Sequence, residues 1–437
     1  MTIFQTAYLS RYLILQIVLT WLCFFASQDT LACARQGEFV RPIVFGADAS
    51  AFSKNVRNFS AWRYKDRQWR QIPIQIDERN EKNEYVLDSG MPFTKDTDDG
   101  MLDSNDEIVV KGSDLGDDFT PKDIPADLVG QAQRTWKLRF CSGEEKFGFL
   151  LLAVRQYRSN KASSSVAVKF ARDKIVTQRY AYQFRKTHPV LLGALDILYG
   201  GTAVKLFASS RFNVAFRLPF WLPDFTLTEE SFSSEIESWQ EGPIRTIVAV
   251  GVKLKKFLSM FDFHMFSELV FYENSFQIPT SLEFPFDPDE WLKPGSGLAY
   301  FVKLAEPEKW AISSNVETLP LVPAPAPKGV AKEYWALAEG KYGAIAMKID
   351  ISSENNEFFP HPYFFRSNMA KAKPWHKEWP WLRDMVGDFG VFVDISSVQR
   401  GAYNFSLDLI LDSKADLSVD KVFTFPKVSW EMLNPNQ

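Results

Sequence analysis

Residues 136–154 read WKLRFCSGEEKFGFLLLAV and indicate two strands joined by a tight turn. In the first half, Trp136, Leu138 and Phe140 alternate with charged residues, which is the period of a half-buried strand. A Ser-Gly-Glu-Glu segment follows, and the apolar residues resume at Phe147. We therefore predict a β-hairpin in this part of the chain.

Similar short apolar or alternating runs, bounded by Gly, Pro, Asn and Asp, recur from residue 35 onward. Helical periodicity is confined to two short stretches, residues 189–198 and 331–337, which we predict as helices of about two turns. Many strands and few helices predict a mainly β protein. We expect a large β-sandwich or stacked antiparallel sheets with few short helices.

The composition is that of a folded globular protein. The chain has 437 residues, of which 46% are hydrophobic and 24% charged. Such a length allows one large domain or two to three ordinary ones. The 50 basic residues are balanced by 54 acidic ones. We expect no nucleic-acid partner, because bulk basic charge is missing.

Residues 1–34 have the three-part layout of a secretory signal peptide. Arg11 precedes an apolar run over residues 12–27, and the segment ends in Ala32-Cys33-Ala34. The run is shorter than the about 20 residues of a membrane span. We predict cleavage after Ala34 and export to the periplasm or the extracellular space. The alternatives are an uncleaved N-terminal anchor and a lipoprotein acylated at Cys33.

Two consequences follow from this processing. Cys23 and Cys33 would leave with the signal peptide, so Cys141 would remain alone and no internal disulfide could form. No later segment contains 18 uninterrupted apolar residues, so we predict no membrane span after signal removal.

A proline-rich segment over residues 319–330 is predicted to be a stiff linker, because alternate prolines hold a chain extended. It separates a β-rich body, residues 35–318, from a C-terminal β segment, residues 331–437. That C-terminal segment either forms its own unit or adds strands to the main sheets.

Residues 88–118 form a strongly acidic loop, with ten acidic and two basic residues. Carboxylates at this density repel one another unless a cation lies among them. Within the loop, residues 99–106, DGMLDSND, resemble the calcium loop of EF-hand and dockerin proteins, with Gly100 at the sharp turn. The resemblance implies weak calcium binding through the following oxygen donors: Asp96, Asp98, Asp99, Met101, Asp103 and Asp106. A solvated acidic turn without metal is the alternative.

The loop departs from the calcium-binding pattern in two places. Lys95 and Thr97 occupy positions where that family carries Asp or Asn. Binding would therefore need a shortened register through Asp96 and Asp98.

Just upstream, residues 69–78 read WRQIPIQIDE, in which Ile72, Ile74 and Ile76 alternate as in a half-buried strand. Asp77 would stand at the strand end, either as an ordinary carboxylate or as a further calcium ligand. A PIQIDE-type strand followed by an LDSNDE-type loop, both within residues 69–110, resembles a family of uncharacterised exported bacterial proteins. That resemblance implies no particular activity.

Residues 261–272, FDFHMFSELVFY, form a predicted strand that places Asp262, His264 and Glu268 on one face. Two carboxylates and an imidazole beside aromatic rings are typical of a sugar-binding or acid/base surface. The alternative is the solvated outer face of a long strand.

Residues 357–365 and 373–381 are the most aromatic and proline-rich part of the chain. Rings on rigid loops can stack on sugars or contact a partner, or they can cover the end of a sandwich.

Motifs typical of NTPases, serine hydrolases and zinc proteases are missing from the sequence. Our leading hypothesis is a non-enzymatic exported envelope protein, stabilised by calcium, that binds a glycan or an envelope protein through aromatic surfaces. A carbohydrate-active enzyme, either a glycosidase or a polysaccharide lyase, is the alternative.

Overall fold

The computed structural model describes residues 34–35, 43–45, 54–81, 83–90, 100–130, 132–142, 145–155, 168–218, 223–254, 264–284, 287–306, 309–314, 334–353, 361–366, 388–412 and 427–433. Over these ranges the protein is built almost entirely of strands. The strands are Ala34–Arg35 (β1), Ile43–Phe45 (β2), Phe59–Lys65 (β3), Gln68–Ile72 (β4), Gln75–Asp77 (β5), Ser89–Gly90 (β6), Glu107–Val109 (β7), Ala132–Ser142 (β8), Glu145–Arg155 (β9), Lys169–Ala171 (β10), Lys174–Val176 (β11), Tyr180–Arg185 (β12), His188–Tyr199 (β13), Thr202–Phe216 (β14), Phe225–Thr228 (β15), Phe232–Glu241 (β16), Thr246–Leu254 (β17), His264–Phe271 (β18), Ser275–Phe284 (β19), Gly297–Leu304 (β20), Trp310–Ser314 (β21), Tyr334–Gly340 (β22), Gly343–Ser353 (β23), His361–Arg366 (β24), Asp388–Asp394 (β25), Gly401–Asp412 (β26) and Lys427–Leu433 (β27).

Helices within the described residues are few and short. Two are α-helical, Ala126–Gly130 (α1) and Pro288–Trp291 (α2). Four further segments are single 3-10 turns: Val56–Asn58, Gly112–Asp114, Pro121–Asp123 and Glu229–Ser231. The prediction of a mainly β fold with few short helices is confirmed. No helix in the described ranges is long and apolar enough to cross a bilayer.

The strands form four sheets. Two nine-stranded sheets have the orders β10-β11-β12-β13-β14-β20-β25-β24, with β15 added beside β14, and β21-β22-β23-β26-β19-β18-β17-β16-β6. A six-stranded sheet has the order β27-β8-β9-β3-β4, with β1 beside β9, and a small sheet has the order β2-β7-β5. The pairings are antiparallel except that of β1 with β9.

The two nine-stranded sheets face each other and share one large hydrophobic core. Rings from both sheets interlock there: Tyr182 of β12 lies 4.9 Å from Phe271 of β18 and 5.2 Å from Phe276 of β19, between ring centroids. Both contacts are edge-to-face, the geometry that favours aromatic pairs by about 0.5–1.5 kcal/mol each. The fold therefore contains a β-sandwich, as predicted.

The six-stranded sheet has the predicted hairpin at its centre. Trp136 pairs with Leu152 and Phe140 pairs with Gly148, so β8 and β9 match residues 136–154 of the sequence. Gly148 has φ of +147°, and a Cβ there would lie 2.7 Å from Leu115 Cβ, so only glycine lets the loop carrying Leu115 approach. That loop and β7 cover one face of this sheet.

Both predicted helices are wrong. Residues 189–198 lie in strand β13, and residues 334–337 of the second stretch lie in strand β22. In β13 the register shifts, because Gln183 pairs with Ala194 while Phe184 pairs with Leu192. This bulge breaks the strict alternation, so the buried Leu191 and Leu192 are neighbours, which imitates a helical pattern.

Cys141 is disulfide-bonded in the full chain, whereas the prediction of no internal disulfide applies to a chain from which the signal peptide has been removed. The chain contains only two other cysteines, Cys23 and Cys33. Both belong to the predicted signal peptide, whose residues 1–33 lie outside the described ranges. Ala34, at the predicted cleavage site, pairs with Glu145 through β1. A cut after Ala34 would fall within β1.

The C-terminal strands extend sheets that the preceding body begins. β22, β23 and β26 belong to one nine-stranded sheet, β24 and β25 to the other, and β27 pairs with β8. The predicted proline-rich linker, residues 319–330, lies outside the described residues.

Candidate functional site

Arg245 lies directly before β17 and is completely buried. Its Nε donates to Asp77 Oδ2 at 2.6 Å, and its Nη2 donates to Glu107 Oε2 at 2.5 Å. Its Nη1 donates to the Tyr272 hydroxyl at 2.9 Å. Asp77 and Glu107 are 0% and 1% exposed. Burying a charge costs several kcal/mol, so this guanidinium is tolerated only because both carboxylates are in place.

Glu107 joins this pair to a second guanidinium. Its Oε1 accepts from Nε of Arg79 at 2.9 Å, and its Oε2 also accepts from the Tyr85 hydroxyl at 2.9 Å. Burial acts to raise the pKa of Glu107, but attraction by Arg245 and Arg79 outweighs it and lowers the pKa below its ordinary value. We call Asp77, Arg79, Glu107 and Arg245 the buried charge network. Its two negative and two positive groups balance.

The buried charge network attaches the small sheet to the sandwich. Gln75, two residues before Asp77 on β5, accepts the backbone N–H groups of Ile244 and Arg245 at 3.1 and 3.0 Å. Its amide donates to Asp77 Oδ1 at 2.9 Å. The PIQIDE-type segment thus contains β5, and Asp77 faces Arg245. Asp77 stands at the end of β5, as expected, but it is buried and forms an ion pair with Arg245.

The acidic loop is locked by its own carboxylates. Asp106 is 1% exposed; its Oδ1 accepts the Arg79 N–H and its Oδ2 accepts the Asp103 N–H, both at 2.9 Å. Asp103 Oδ1 accepts the Asn105 N–H at 3.0 Å, and the Asn105 amide donates to the Asn80 carbonyl at 2.9 Å. These bonds satisfy backbone groups in a turn and fix the loop beside β5.

The predicted calcium ligands are only partly described. Asp96, Asp98 and Asp99 lie outside the described residues, whereas Met101, Asp103 and Asp106 lie within them. Met101 forms an isolated bridge to Asn55. Across the described part of the chain, no group of three or more His, Cys, Asp or Glu side chains could hold a metal ion.

Gly100 has the conformation expected of the sharp turn, with φ of +73°. The carboxylate of Glu78 faces this turn, since a Cβ on Gly100 would lie 3.8 Å from Glu78 Oε1. Glu78 is an acidic neighbour of the loop that the sequence pattern did not indicate as a ligand.

Of the three predicted acid/base residues, Glu268 is the one whose side chain is described. Asp262 lies outside the described residues, and only the backbone of His264 is described, at the start of β18. Glu268 Oε1 accepts the Tyr85 N–H at 2.6 Å. Burial raises the pKa of Glu268 to about 7, although the Tyr85 N–H and Arg79 favour its charged form. Glu268 therefore faces the segment that carries the buried charge network.

The aromatic stretches singled out in the sequence lie largely outside the described residues. Within residues 357–381, only the backbone of β24 is described. The described residues instead present a different aromatic surface. Tyr199 and the adjacent Leu198 are 44% and 37% exposed, although both are large apolar side chains.

Two hairpin ends, one from each nine-stranded sheet, meet at this surface. Tyr199 ends β13 and is followed by Gly200 and Gly201, both with positive φ, so the turn to β14 is tight. Tyr342 lies in the turn between β22 and β23. The Tyr199 and Tyr342 ring centroids are 6.1 Å apart at an interplanar angle of 74°. Lys341 Nζ lies 5.5 Å from the Tyr342 centroid.

We call Leu198, Tyr199, Lys341 and Tyr342 the hairpin-tip patch. Sequence reasoning missed it, although Tyr-Gly-Gly at 199–201 and Gly-Lys-Tyr-Gly at 340–343 are strong turn signals. Each signal shows a tyrosine at a hairpin end. Neither shows that the two ends meet.

Comparison with known proteins gives only distant likenesses. No family model matches the chain, and no curated protein matches it. Among solved structures, an α-mannosidase from Enterococcus faecalis V583 is similar at TM-score 0.44 and 8% identity, over 92% of this chain and 45% of that one. A protein in glycosyl hydrolase family 38 from Enterococcus faecalis gives TM-score 0.40 and 8% identity, over 92% and 46%.

A putative aldose 1-epimerase from Escherichia coli K12 gives TM-score 0.24 and 10% identity, over 52% of this chain and 99% of that one. The chain spans less than half the length of the two Enterococcus proteins.

Glu268 predicts a specific pH dependence of stability. Because its folded pKa of about 7 lies above the ordinary value of 4.5, the folded state holds this proton more tightly than the unfolded state. The free energy of unfolding should therefore fall as pH rises from 4.5 to 7, by on the order of 3 kcal/mol from this group. Urea unfolding of wild type and Glu268→Gln at pH 5, 6 and 7.5 measures it.

In Glu268→Gln this decrease in the free energy of unfolding should disappear, because an amide does not titrate. The amide oxygen can still accept the Tyr85 N–H, so the local structure is kept. Glu235→Gln, at a side chain that is 67% exposed, is the control and should follow wild type. A Glu268→Gln curve parallel to that of wild type would show that Glu268 does not titrate in this range.

Proposed function

We propose that the chain is a non-enzymatic glycan-binding protein of the bacterial cell envelope, exported across the cytoplasmic membrane. The observation that supports this proposal is the hairpin-tip patch, where two tyrosine rings from different sheets meet at the surface. Its position was not predicted. The aromatic stretches indicated by the sequence, residues 357–365 and 373–381, lie elsewhere in the chain and largely outside the described residues.

The patch has the properties that sugar recognition needs. A tyrosine has an apolar ring face and a polar hydroxyl, so it can pack against the C–H face of a sugar ring and hydrogen-bond to a sugar hydroxyl. Tyr199 ends a strand and Tyr342 lies in a two-residue turn. Short turns limit backbone freedom, so little conformational entropy is lost on binding.

The size of the patch favours a glycan over a protein partner. Stable protein interfaces bury about 800 Å² on each partner and use 20–30 residues a side. Two tyrosines and one leucine expose far less than that, but one ring is the size of one sugar unit. The Lys341 ammonium over the Tyr342 ring adds a positive hydrogen-bond donor beside the stacking face.

Substitution at the patch tests this proposal. In a pull-down and calorimetric screen of bacterial polysaccharides, we expect Tyr199→Ala and Tyr342→Ala each to weaken binding about tenfold, or ~1.4 kcal/mol, because each removes a ring contact. Trp291→Ala is the matched control. Trp291 lies in α2 and is 48% exposed. It is distant from the patch, because the N–H of Lys293, just after α2, donates to the carbonyl of Arg217. Arg217 follows the end of β14 that lies farther from the patch. Equal binding by all four proteins would contradict the proposal.

The same screen separates binding from catalysis. The alternative function, a carbohydrate-active enzyme, is favoured by the raised pKa of Glu268, since a carboxyl group that titrates near neutrality can donate a proton. Release of reducing ends or unsaturated sugars by wild type, lost in Glu268→Gln, would support the enzyme. Binding without products would support the proposed function.

We also propose that calcium binds the acidic loop. The left-handed Gly100 and the facing carboxylate of Glu78 support this proposal. With a dissociation constant on the order of 0.1 to 1 mM, ten times that concentration should stabilise the fold by about 1.4 kcal/mol. Thermal unfolding in calcium chloride, with magnesium chloride as the control salt, measures this effect.

Asp103→Asn should reduce the calcium effect, since it removes a charge but keeps an oxygen for the Asn105 N–H. Asp127→Asn, at an exposed residue of α1, should leave the effect unchanged. If the melting temperature of wild type does not move at 10 mM calcium, the loop is a metal-free acidic turn.

A further inference from the structure

An apolar cavity of about 90 Å³ lies between the two nine-stranded sheets. One wall comes from the sheet that holds β13, β14, β20 and β25, with Val190, Phe212 and Val391. The other wall comes from the sheet that holds β17, β19, β23 and β26, with Ile278 and Leu407. Sandwich interiors normally close to the density of organic crystals, and unfilled space loses contacts on every side. A hole of this size in the middle of the core is therefore a candidate ligand site.

The cavity is partly open to the surface. Phe212 and Thr280, from opposite sheets, are half-buried among lining residues that are otherwise mostly buried. Glu229, in the 3-10 turn before β16, is also half-buried and lines the cavity. A small molecule can therefore enter between the sheets without separating them.

The cavity volume favours a ligand with a narrow cross-section, such as an alkyl chain. An apolar protein cavity of about 150 Å³ holds one benzene molecule. A cavity of about 90 Å³ is too small for an aromatic or sugar ring, but it has room for several carbons of an unbranched alkyl chain. The mostly apolar lining is also unfavourable for water, which needs two to four polar partners to remain in a cavity.

The titratable groups of the lining do not attract an anion. His188 Nε2 lies 3.2 Å from the Phe232 carbonyl, which can only accept, and Nδ1 lies 2.9 Å from the Thr187 hydroxyl, which can donate. Both ring nitrogens therefore already have partners within the protein. Glu229 carries a negative charge that is paired with Arg185 at 3.0 Å. Among the described residues, the lining contains no Lys or Arg side chain and does contain this carboxylate, so it favours a neutral ligand over one with a carboxylate.

One polar group in the lining is left for a ligand. The Tyr300 side chain lines the cavity, and its hydroxyl is buried without a hydrogen bond of normal length to any described residue. Ser210 is near enough to oppose the rise that burial causes in the pKa of Tyr300, but its Oγ already accepts the Leu192 N–H at 2.9 Å. A buried hydroxyl without a good partner is costly, and a ligand oxygen within reach would remove that cost.

We infer that this cavity binds the unbranched alkyl chain of a neutral amphiphile, with a hydroxyl or carbonyl oxygen of the ligand accepting a hydrogen bond from Tyr300. The site is independent of the proposed glycan-binding function. His188, in its lining, and Tyr199, in the hairpin-tip patch, stand at opposite ends of β13, about 35 Å apart at the rise of a strand.

A series of 1-alkanols from butanol to octanol tests the inference on the full chain by isothermal calorimetry. Each methylene that enters the cavity should raise affinity about fourfold, which is the ~0.8 kcal/mol of burying one methylene. The increase should level off once the cavity is full. Cyclohexanol, which is too wide, and sodium octanoate, which is charged, should bind at least tenfold more weakly than 1-octanol.

Two variants connect the binding to this cavity. Val391→Phe adds to the cavity only the ring atoms that extend beyond the valine it replaces, so it should abolish 1-octanol binding while the melting temperature is kept or raised, because it fills a void. Val248→Phe is the matched control: Val248 is a buried valine of the same core outside the cavity lining, so the larger side chain should lower the melting temperature. Tyr300→Phe should weaken 1-octanol binding several-fold.

Binding of the 1-alkanol series to the wild-type protein tests the inference even if a variant fails to fold. An affinity that does not change with chain length would overturn the inference. The same holds if octanoate binds as tightly as octanol, if no alkanol binds, or if folded Val391→Phe binds like wild type.

Discussion

The burial of Arg245 is the constraint on which the rest of the structure depends. A guanidinium without exposure is tolerated only where carboxylates surround it, and here Asp77 and Glu107 come from two strands of the small sheet. The small sheet therefore has one acceptable position against β17. Apolar residues around the charges, including Ile247 and Tyr272, hold the same contact closed. The buried charge network thus joins the small sheet to the sandwich.

Both proposed binding surfaces depend on the sandwich that this contact completes. The hairpin-tip patch exists because two nine-stranded sheets end side by side, so that Tyr199 and Tyr342 meet. The alkyl cavity exists because the same sheets do not close fully where Phe212 faces Ile278 across the core. One surface is aromatic, exposed and suited to a sugar, whereas the other is enclosed, apolar and suited to a thin chain. A β-sandwich can offer both because its sheet ends and its interior are chemically different.

The sequence predicted the fold class well, but it did not indicate the buried charge network or the hairpin-tip patch, for physical reasons. Alternation in residues 136–154 is a local signal of burial, and it correctly predicted β8 and β9. The bulge in β13 destroyed that signal over residues 189–198. Asp77 and Arg245 are 168 residues apart, so no local pattern indicates that they pair. Asp77 was considered as a further calcium ligand because its positive partner, Arg245, lies far away in the sequence.

The most direct test of this account is the free energy of unfolding of Arg245→Met, measured by urea denaturation beside Lys253→Gln. Lys253 pairs with Glu235 at the surface, where the two side chains are 56% and 67% exposed. Arg245→Met should lose about 3–5 kcal/mol, because Asp77 and Glu107 stay buried without their partner. Lys253→Gln should lose less than about 1 kcal/mol. Similar small losses in both variants would contradict the claim that Arg245 holds the small sheet in place.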